Sequence, residues 1–141
     1  MPQSEIMYRR MYIIFAAGLC MVLAIIMYFF SLNEAREPTV LFVTSSEARE
    51  KINEHQDAFI LDVRTSGEFY AGRIPGAVNI PYQQIESNQG LLPRNKHALI
   101  FVYCRTGSRA TDATAELLRL GYTNIVIFPG MASWEYETVS G

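Results

Sequence analysis

An uncharged apolar run near the amino terminus divides the chain into two parts of different composition. Of the 22 residues from 11 to 32, 20 are hydrophobic and none is charged. As a helix this run would be about 33 Å long, enough to cross a hydrocarbon core of about 30 Å. Tyr8, Tyr12 and Tyr28 stand near its ends, where aromatic rings prefer the membrane interface. We therefore expect an amino-terminal flank at residues 1–10 and a single transmembrane helix at residues 11–32.

The run fits a retained anchor better than a cleavable signal peptide. A signal peptide has an apolar core of about 7–15 residues and an A-x-A cleavage pattern, which residues 33–35 do not provide. Arg9 and Arg10 precede the run, whereas Arg36 is the one basic residue in the first dozen after it. The positive-inside bias therefore predicts a cytoplasmic amino terminus, with the following domain on the outer or periplasmic side of the membrane.

A repeat of small side chains every four residues runs along one face of this predicted helix: Ala16, Cys20 and Ala24. Small side chains allow two helices to approach closely, so this face could support a weak self-association. The alternative is that the three side chains simply face lipid.

The remainder of the chain has the composition of an ordinary globular domain. Residues 33–141 carry 10 basic and 13 acidic side chains, a net charge of −3. This balance argues against a nucleic-acid partner, because phosphate recognition needs a basic surface. The two cysteines of the chain exclude a disulfide scaffold. We expect a linker at residues 33–39, which contains Pro38, and a domain at residues 40–141.

Short apolar runs alternate with helical patterns in this domain. Strands are predicted at residues 40–44, 58–63, 77–80, 98–103 and 125–128. Helices are predicted at residues 45–54, capped by Ser45 or Ser46, and at residues 108–120, ended by Gly121. Strands that alternate with helices over such short connections are typical of an α/β domain with a largely parallel sheet.

The candidate site follows the most apolar of these strands. Residues 104–109, C-R-T-G-S-R, lead from the strand directly into a helix. A thiol at a helix amino terminus, flanked by Arg105 and Arg109, is in a setting that favours the thiolate. Gly107 lets the loop curl, so that backbone N–H groups can converge on an anion. The alternative is that Cys104 is a small buried core residue.

Several motifs together resemble the rhodanese (sulfurtransferase) family. They are D-x-R at residues 62–64, G-E-F at 67–69, G-R-I-P-G-A-V-N-I-P at 72–81, C-R-T-G-S-R at 104–109 and P-G-M-A-S-W at 129–134. The resemblance implies a rhodanese-like three-layer α/β domain with a five-stranded, largely parallel sheet, here preceded by one transmembrane helix.

The resemblance also implies a mechanism. Cys104 would take a sulfane sulfur from thiosulfate or a persulfide donor, hold it as a persulfide and pass it to a thiol or cyanide acceptor. No cofactor is implied. The substrate would be bound by the loop residues Arg105, Thr106, Gly107, Ser108 and Arg109.

Other residues of the motifs are expected to support the site. Asp62, Arg64 and Glu68 follow the second strand, and an ion-pair network that orients the loop is favoured over direct substrate steering. The family usually has histidine where Arg73 stands and glycine where Pro129 stands. We expect Arg73 to be structural, and Trp134 at the end of the last motif to pack in the core.

Other chemistries fit the sequence less well. His55 and His97 stand alone without further metal ligands at suitable spacing, so no metal site is predicted. Cysteine-based phosphatases and arsenate reductases have C-x5-R loops, one residue longer than the C-x4-R of residues 104–109, and this class is the weaker alternative. The other is a membrane-tethered binding module with a rhodanese fold that no longer turns over.

Overall fold

The computed structural model describes residues 3–32 and 37–141, which belong to two compact units divided between residues 36 and 37. The first unit contains one helix, α1 (Gln3–Leu32). It begins well before the apolar run, because residues 3–10 contain no proline or glycine that would interrupt a helix. Its length and composition suffice to cross a membrane. Residues 33–36 of the predicted linker lie outside the described residues.

The second unit is an α/β domain built on a five-stranded sheet. Along the chain its elements are β1 (Thr39–Phe42), α2 (Ser45–Glu54), β2 (Phe59–Asp62), α3 (Ser66–Ala71), β3 (Val78–Asn79), β4 (Ile100–Cys104), α4 (Ser108–Arg119) and β5 (Asn124–Gly130). The strand order is β1-β5-β4-β2-β3, and all four pairings are parallel. The predicted α/β class and the five-stranded parallel sheet are therefore confirmed.

The alternation of side chains along β4 shows why this sheet has a helix layer on each face. Ile100 and Val102 pack with the apolar side of α4, which contributes Ala110, Ala113 and Leu117. Phe101 and Tyr103 point to the opposite face. There they pack with Ala48 of α2, Phe128 and Trp134. Trp134 is thus a core residue, as predicted.

Helices α2 and α3 both begin with a capping box formed by a threonine and a glutamate. Thr44 caps α2: its hydroxyl accepts from Glu47 N–H, and the Glu47 carboxylate accepts from Thr44 N–H. The prediction of Ser45 or Ser46 as the cap is wrong, because the buried Ser45 hydroxyl is hydrogen-bonded to Ser133 instead. Thr65 and Glu68 form the equivalent box at α3, a six-residue helix that is not predicted from the sequence.

The carboxyl ends of β4 and β5 approach each other closely at Gly130. Cys104 is paired with Gly130, and the register between the two strands shifts at this point. Gly130 has a φ of +85°. A Cβ atom there would press on the Cys104 carbonyl oxygen and lie 2.8 Å from Cδ2 of the Tyr103 ring. The position therefore requires glycine for two separate reasons, its backbone conformation and the space available.

We expect Gly130→Ala to lower the free energy of unfolding by about 3 kcal/mol, since it adds steric overlap to left-handed strain. Gly76 is a matched control: its φ is +80°, but a Cβ atom there would meet nothing within 4 Å. Gly76→Ala should cost only about 1–2 kcal/mol. Urea unfolding of the full chain in detergent, followed by the emission of Trp134, measures both. Equal losses at the two positions would contradict the close approach at Gly130.

Candidate active site

Strand β4 delivers Cys104 to the carboxyl edge of the sheet, where parallel α/β domains place their sites. All five residues of β4 are buried, and Cys104 is only 1% exposed. The chain then curls through residues 105–107 into α4. Gly107, at the helix N-cap, has a φ of +102°, and its N–H donates to Cys104 Sγ at 3.1 Å. The loop therefore already directs one backbone donor at the sulfur.

The two arginines of the loop have different environments. Arg105 is exposed. Arg109 forms a bidentate ion pair with Glu68, with Nη1 to Oε2 at 2.7 Å and Nη2 to Oε1 at 2.8 Å. The positive charge of Arg109 is therefore largely balanced, whereas Arg105 offers its charge to solvent.

The Glu68 carboxylate takes part in the N-terminal capping box of α3 and in the ion pair with Arg109 of α4. Oε2 accepts from Thr65 N–H at 3.0 Å and from the Thr65 hydroxyl at 2.9 Å, in addition to Arg109. The hydrogen bonds from Arg109 are the largest cause that lowers the pKa of Glu68, from 4.5 to about 2. In turn Glu68 raises the pKa of Arg109, and Cys104 makes a smaller contribution in the same direction. The pair is thus fully ionised at neutral pH.

A second ion pair, between Asp62 and Arg64, is buried. The Arg64 side chain is 6% exposed and that of Asp62 is 0% exposed, with Nη2 to Oδ2 at 2.6 Å. The same Nη2 donates to the Gly72 carbonyl at 2.7 Å. Burial is the largest single influence and lowers the pKa of Arg64, but the hydrogen bonds and negative charge of Asp62, with a smaller effect of Tyr103, together raise this pKa above its ordinary value. The amide of Asn79 donates to the carbonyls of both residues at 2.9 Å, which joins β3 to the pair.

Tyr103 links this ion pair to the strand that carries Cys104. Its hydroxyl accepts from Ile74 N–H at 3.2 Å, and the Arg64 guanidinium lies 5.7 Å from its ring centroid. Burial, followed by the Asp62 carboxylate, raises the pKa of Tyr103, so the hydroxyl stays protonated.

A pocket of about 330 Å³ opens beside the loop. It is lined by Arg64, Glu68, Ala71, Gly72, Arg105, Met131 and Ala132. Arg105 is the lining cation that no carboxylate balances within the described part of the chain, since Arg64 is paired with Asp62. We name this the charged pocket.

The structure thus brings most of the predicted site residues to one edge of the sheet. Residues 104–109 form the turn from β4 into α4, and Glu68 is joined to this turn through Arg109. Arg64 lines the charged pocket and is paired with Asp62. Arg73 has the structural role expected of it: its backbone pairs with Val139, its Nη1 donates to the Gly141 carbonyl at 2.9 Å, and it stacks on the Phe69 ring.

The support given to the loop by the chain after β5 is not predicted from the sequence. Met131 N–H donates to the Cys104 carbonyl at 3.1 Å, and Ala132 N–H donates to the Arg105 carbonyl at 2.9 Å. These are backbone donors, so no residue type marks them; the P-G-M-A-S-W motif was the one available signal. Over residues 3–32 and 37–141, no group of three or more metal-ligating side chains is present.

Comparison with known proteins decides the family. Residues 44–137 match the family model of the rhodanese-like domain. The chain belongs to the rhodanese family. A sulfurtransferase of Allochromatium vinosum is 28% identical over 93 residues, 65% of this chain and 85% of that protein. This relationship supports sulfur transfer, in general terms, as the reaction of this rhodanese domain.

Solved structures agree with this assignment. A rhodanese-like domain protein from Staphylococcus aureus aligns with a TM-score of 0.63 and 29% identity, over 72% of this chain and 98% of that chain. A rhodanese from E. coli, solved with anions, aligns with a TM-score of 0.55 and 25% identity, over 60% of this chain and 98% of that one. The rhodanese fold expected from the motifs is confirmed.

We expect Glu68→Gln to lower the free energy of unfolding by about 1–2 kcal/mol at neutral pH, with allowance for solvent screening of a partly exposed pair. The pKa of Glu68 in the folded protein is depressed to about 2. The ionised Glu68 therefore makes its full contribution to the free energy of unfolding above its ordinary pKa, and this contribution is lost as the pH falls through about 2. The difference between wild type and variant should therefore vanish near pH 2 in urea unfolding of the full chain.

Glu47→Gln is the matched control for this experiment. Glu47 closes the same capping box at α2, and no arginine is paired with it in the described structure. It should show a smaller pH-dependent difference than Glu68→Gln. If the two variants have the same pH dependence, the bidentate pair with Arg109 is not what depresses the pKa of Glu68.

Proposed function

We propose that this rhodanese is a membrane-anchored sulfurtransferase in which Cys104 carries a sulfane sulfur as a persulfide. One observation carries the proposal: Cys104 ends the buried strand β4, three residues before the N-cap of α4, and the Gly107 N–H donates to its Sγ with the nitrogen at 3.1 Å. A backbone donor and a helix amino terminus both stabilise negative charge on sulfur. The same environment suits a thiolate before the reaction and the terminal sulfur of a persulfide after it.

In the first half-reaction the Cys104 thiolate attacks the outer sulfur of thiosulfate. A bond forms between Sγ and that sulfur as the sulfur–sulfur bond of thiosulfate breaks, and sulfite leaves with the electron pair. A persulfide donor reacts in the same way and leaves as a thiolate. No external oxidant is required, because the transferred atom already has the oxidation level of sulfane sulfur.

In the second half-reaction the acceptor removes this sulfur. A thiolate or cyanide attacks the outer sulfur, the bond to Sγ breaks, and Cys104 leaves as a thiolate. The products are an acceptor persulfide or thiocyanate, and the enzyme returns to its starting state. One thiol suffices for this cycle.

The anionic donor is bound by the loop and the charged pocket. Arg105 is exposed, is next to Cys104 and lines that pocket, so it supplies the charge that attracts the donor. Arg109 and the backbone of Thr106, Gly107 and Ser108 complete the predicted substrate-binding loop. The E. coli rhodanese solved with anions supports such binding to this fold.

Asp62, Arg64 and Glu68 support the site without touching the transferred sulfur in this proposal. The buried pair of Asp62 and Arg64 fixes the ends of β2 and β3 and the Gly72 carbonyl. Glu68 fixes the first turn of α4 through Arg109. Both pairs favour the expected structural network over direct substrate steering.

Exposure of the full chain to thiosulfate should add about 32 Da to its intact mass, the mass of one sulfur atom. Cyanide or a thiol should remove the added mass. Cys104→Ser should abolish the adduct, whereas Cys20→Ser should retain it because Cys20 lies in α1. Absence of the adduct with thiosulfate and with persulfide donors would contradict the proposal and favour a non-catalytic module.

The same measurement tests the donor side of the site. Arg105→Gln should raise the thiosulfate concentration needed for half-maximal loading by about tenfold. The reason is that one favourable charge interaction, of about 1.4 kcal/mol, is lost. Arg119→Gln is the matched control, since Arg119 is exposed at the far end of α4 and paired with Glu86 and Glu116. Equal loading by the two variants would remove Arg105 from the donor site.

The anchor belongs to the same proposal. We place a flank at residues 1–10, the membrane-spanning segment at residues 11–32, a linker at residues 33–39 and the rhodanese domain at residues 40–141. The length and composition of α1 support the span, and the arginines before it favour a cytoplasmic amino terminus with the domain outside or in the periplasm. Weak self-association through Ala16, Cys20 and Ala24 stays a prediction.

The full chain expressed in E. coli should remain in the membrane fraction at alkaline pH, as a spanning helix does. Protease added to intact spheroplasts should degrade the rhodanese domain, because the domain lies on the periplasmic side. Release of the protein from the membrane fraction at alkaline pH would contradict the proposed membrane anchor. Protection of the domain until the cells are lysed would reverse the orientation.

A further inference from the structure

The charged pocket is larger than an inorganic sulfur donor. Thiosulfate has five non-hydrogen atoms, and at about 30 Å³ for each atom, the share of one water molecule in the liquid, it fills at most about 150 Å³. The pocket has a volume of about 330 Å³, which lies within the range of about 300–1,000 Å³ for sites that bind small organic molecules. More than half of the pocket is therefore left over when thiosulfate is bound beside the loop.

The walls of this additional space are largely apolar. Ala71 comes from the end of α3, and Met131 and Ala132 come from the chain after β5. Ala71 and Ala132 are exposed, and their short side chains leave room in front of them. An apolar group that covers these side chains is stabilised, because apolar surface is removed from water. The space therefore fits an organic group.

The charges around the pocket sum to a single positive charge. Arg64 is paired with Asp62, and Glu68 is paired with Arg109. Arg105 belongs to none of the ion pairs in the described part of the chain, so it supplies the remaining charge. A donor with one negative charge matches this balance. The second negative charge of thiosulfate would instead be repelled by the Glu68 carboxylate, which also lines the pocket.

One wall of the pocket is joined to the reactive cysteine through the backbone. Arg105 directly follows Cys104 in the chain. Met131 N–H donates to the Cys104 carbonyl at 3.1 Å, and Ala132 N–H donates to the Arg105 carbonyl at 2.9 Å. Because Arg105 is next to the cysteine, the oxygen atoms of a donor that it binds must be close to the transferred sulfur.

The wall formed by Glu68 is also close to the sulfur. Glu68 lines the pocket and accepts from both terminal nitrogens of Arg109, at 2.7 and 2.8 Å. The Cys104 thiol is one of the groups that raise the pKa of Arg109, so the guanidinium lies near the sulfur. A donor in the pocket can therefore place its outer sulfur at the loop and keep its remaining atoms between these walls.

We propose that the charged pocket holds the leaving group of an organic thiosulfonate, R–SO₂–S⁻, and that Ala71 and Ala132 provide the room for its apolar group R. The proposal rests on the function proposed above and names the class of its donor. A thiosulfonate has one negative charge, and its two oxygen atoms are bonded to the sulfur that carries the sulfane sulfur. Arg105 binds these oxygen atoms with the paired N–H donors of its guanidinium. The sulfane sulfur is one atom wide, so it reaches the buried Cys104 while R stays in the pocket.

The transfer is the same substitution as with thiosulfate. The Cys104 thiolate attacks the sulfane sulfur, a bond forms between Sγ and this atom, and its bond to the sulfonyl sulfur breaks. The sulfonyl group takes the electron pair and leaves as the sulfinate R–SO₂⁻. Cys104 becomes a persulfide with one negative charge, so atoms and charge balance without an oxidant or a proton.

Three sodium salts separate the effect of charge from that of size. Methanethiosulfonate has five non-hydrogen atoms, as thiosulfate has, but only one negative charge. Benzenethiosulfonate has the same single charge and ten non-hydrogen atoms, at most about 300 Å³ by the same measure. The full chain in detergent is exposed to each salt, and the concentration that gives half the maximal rate of loading, a gain of about 32 Da, is measured. This concentration should be lower for methanethiosulfonate than for thiosulfate, and about tenfold lower again for benzenethiosulfonate, because its ring covers the apolar wall.

Variants of the pocket test where the ring is bound. Ala132→Leu adds three carbon atoms, about 90 Å³ by the same measure, and leaves too little of the pocket for benzenethiosulfonate. Its half-saturating concentration should therefore rise about tenfold relative to those of the two five-atom donors. Ala71→Leu should act in the same direction. Ala115→Leu is the matched control, because Ala115 is exposed on α4 and is not among the lining residues; it should change none of the three concentrations.

A binding measurement tests the pocket without sulfur transfer. Benzenesulfonate has the same ring and charge as benzenethiosulfonate but carries no sulfane sulfur. Its affinity for the full chain with Cys104→Ser, measured by isothermal titration calorimetry, should fall about tenfold when Ala132→Leu is added. Uptake by the detergent is the same for both proteins and cancels in this comparison.

The outcomes separate this proposal from the proposed function. If no donor loads Cys104, the proposed function fails, while the affinity for benzenesulfonate still tests the pocket. If Cys104 loads but Ala132→Leu changes all three half-saturating concentrations by the same factor, or changes none, the pocket does not hold the leaving group and the proposal is refuted. A lower half-saturating concentration for thiosulfate than for methanethiosulfonate would refute the match of charge. Benzyl persulfide has an aromatic ring but no sulfonyl oxygens; half-saturation by it below the concentration for benzenethiosulfonate would assign the pocket to apolar persulfides and overturn the proposal.

Discussion

The buried ion pair between Asp62 and Arg64 is the constraint on which the carboxyl edge of the sheet depends. Two charges with almost no exposure are tolerated only when each is paired and hydrogen-bonded. Arg64 meets this demand with Asp62, the Gly72 carbonyl and the face of Tyr103. These partners come from the end of β2, the end of α3 and the end of β4. One guanidinium therefore fixes the relative positions of the three elements that surround the loop.

A second set of contacts restrains the loop that holds Cys104. The capping box of α3 places the Glu68 carboxylate, which holds Arg109 in the first turn of α4, and α4 begins where the loop ends. On the opposite side, Met131 N–H holds the Cys104 carbonyl. The loop is thus restrained at both ends by groups outside it. Because Glu68 balances the charge of Arg109, Arg105 carries the unbalanced side-chain charge of the loop within the described part of the chain.

The sequence predicts the sheet well and the contacts around the loop less well. A short, continuous apolar run such as β4 is typical of a strand that is buried on both faces. The strands are therefore predicted correctly, although their predicted ends differ from the observed ends by a residue or two. The six residues of α3 are too few to show a helical period, and its signal lies in Thr65 and Glu68, which form the capping box. Pairing of Glu68 with Arg109 joins residues 41 positions apart. Such a pairing follows from the topology of the sheet, and no local pattern contains it.

In the proposed persulfide cycle, the burial of Cys104 makes the position of the reactive atom depend on whether the cysteine carries a sulfur. Without a bound sulfur, residue Cys104 is 1% exposed, so only small or slender donors would reach its thiol. A sulfur–sulfur bond is about 2 Å long, and a persulfide therefore moves the reactive atom outward from the protein by about the radius of one sulfur atom. In the cycle proposed above, the empty site would admit only narrow donors, whereas the loaded site would present its sulfur to larger acceptors. In that proposed cycle, one added sulfur atom would be enough to change the size of the molecules that can react at Cys104.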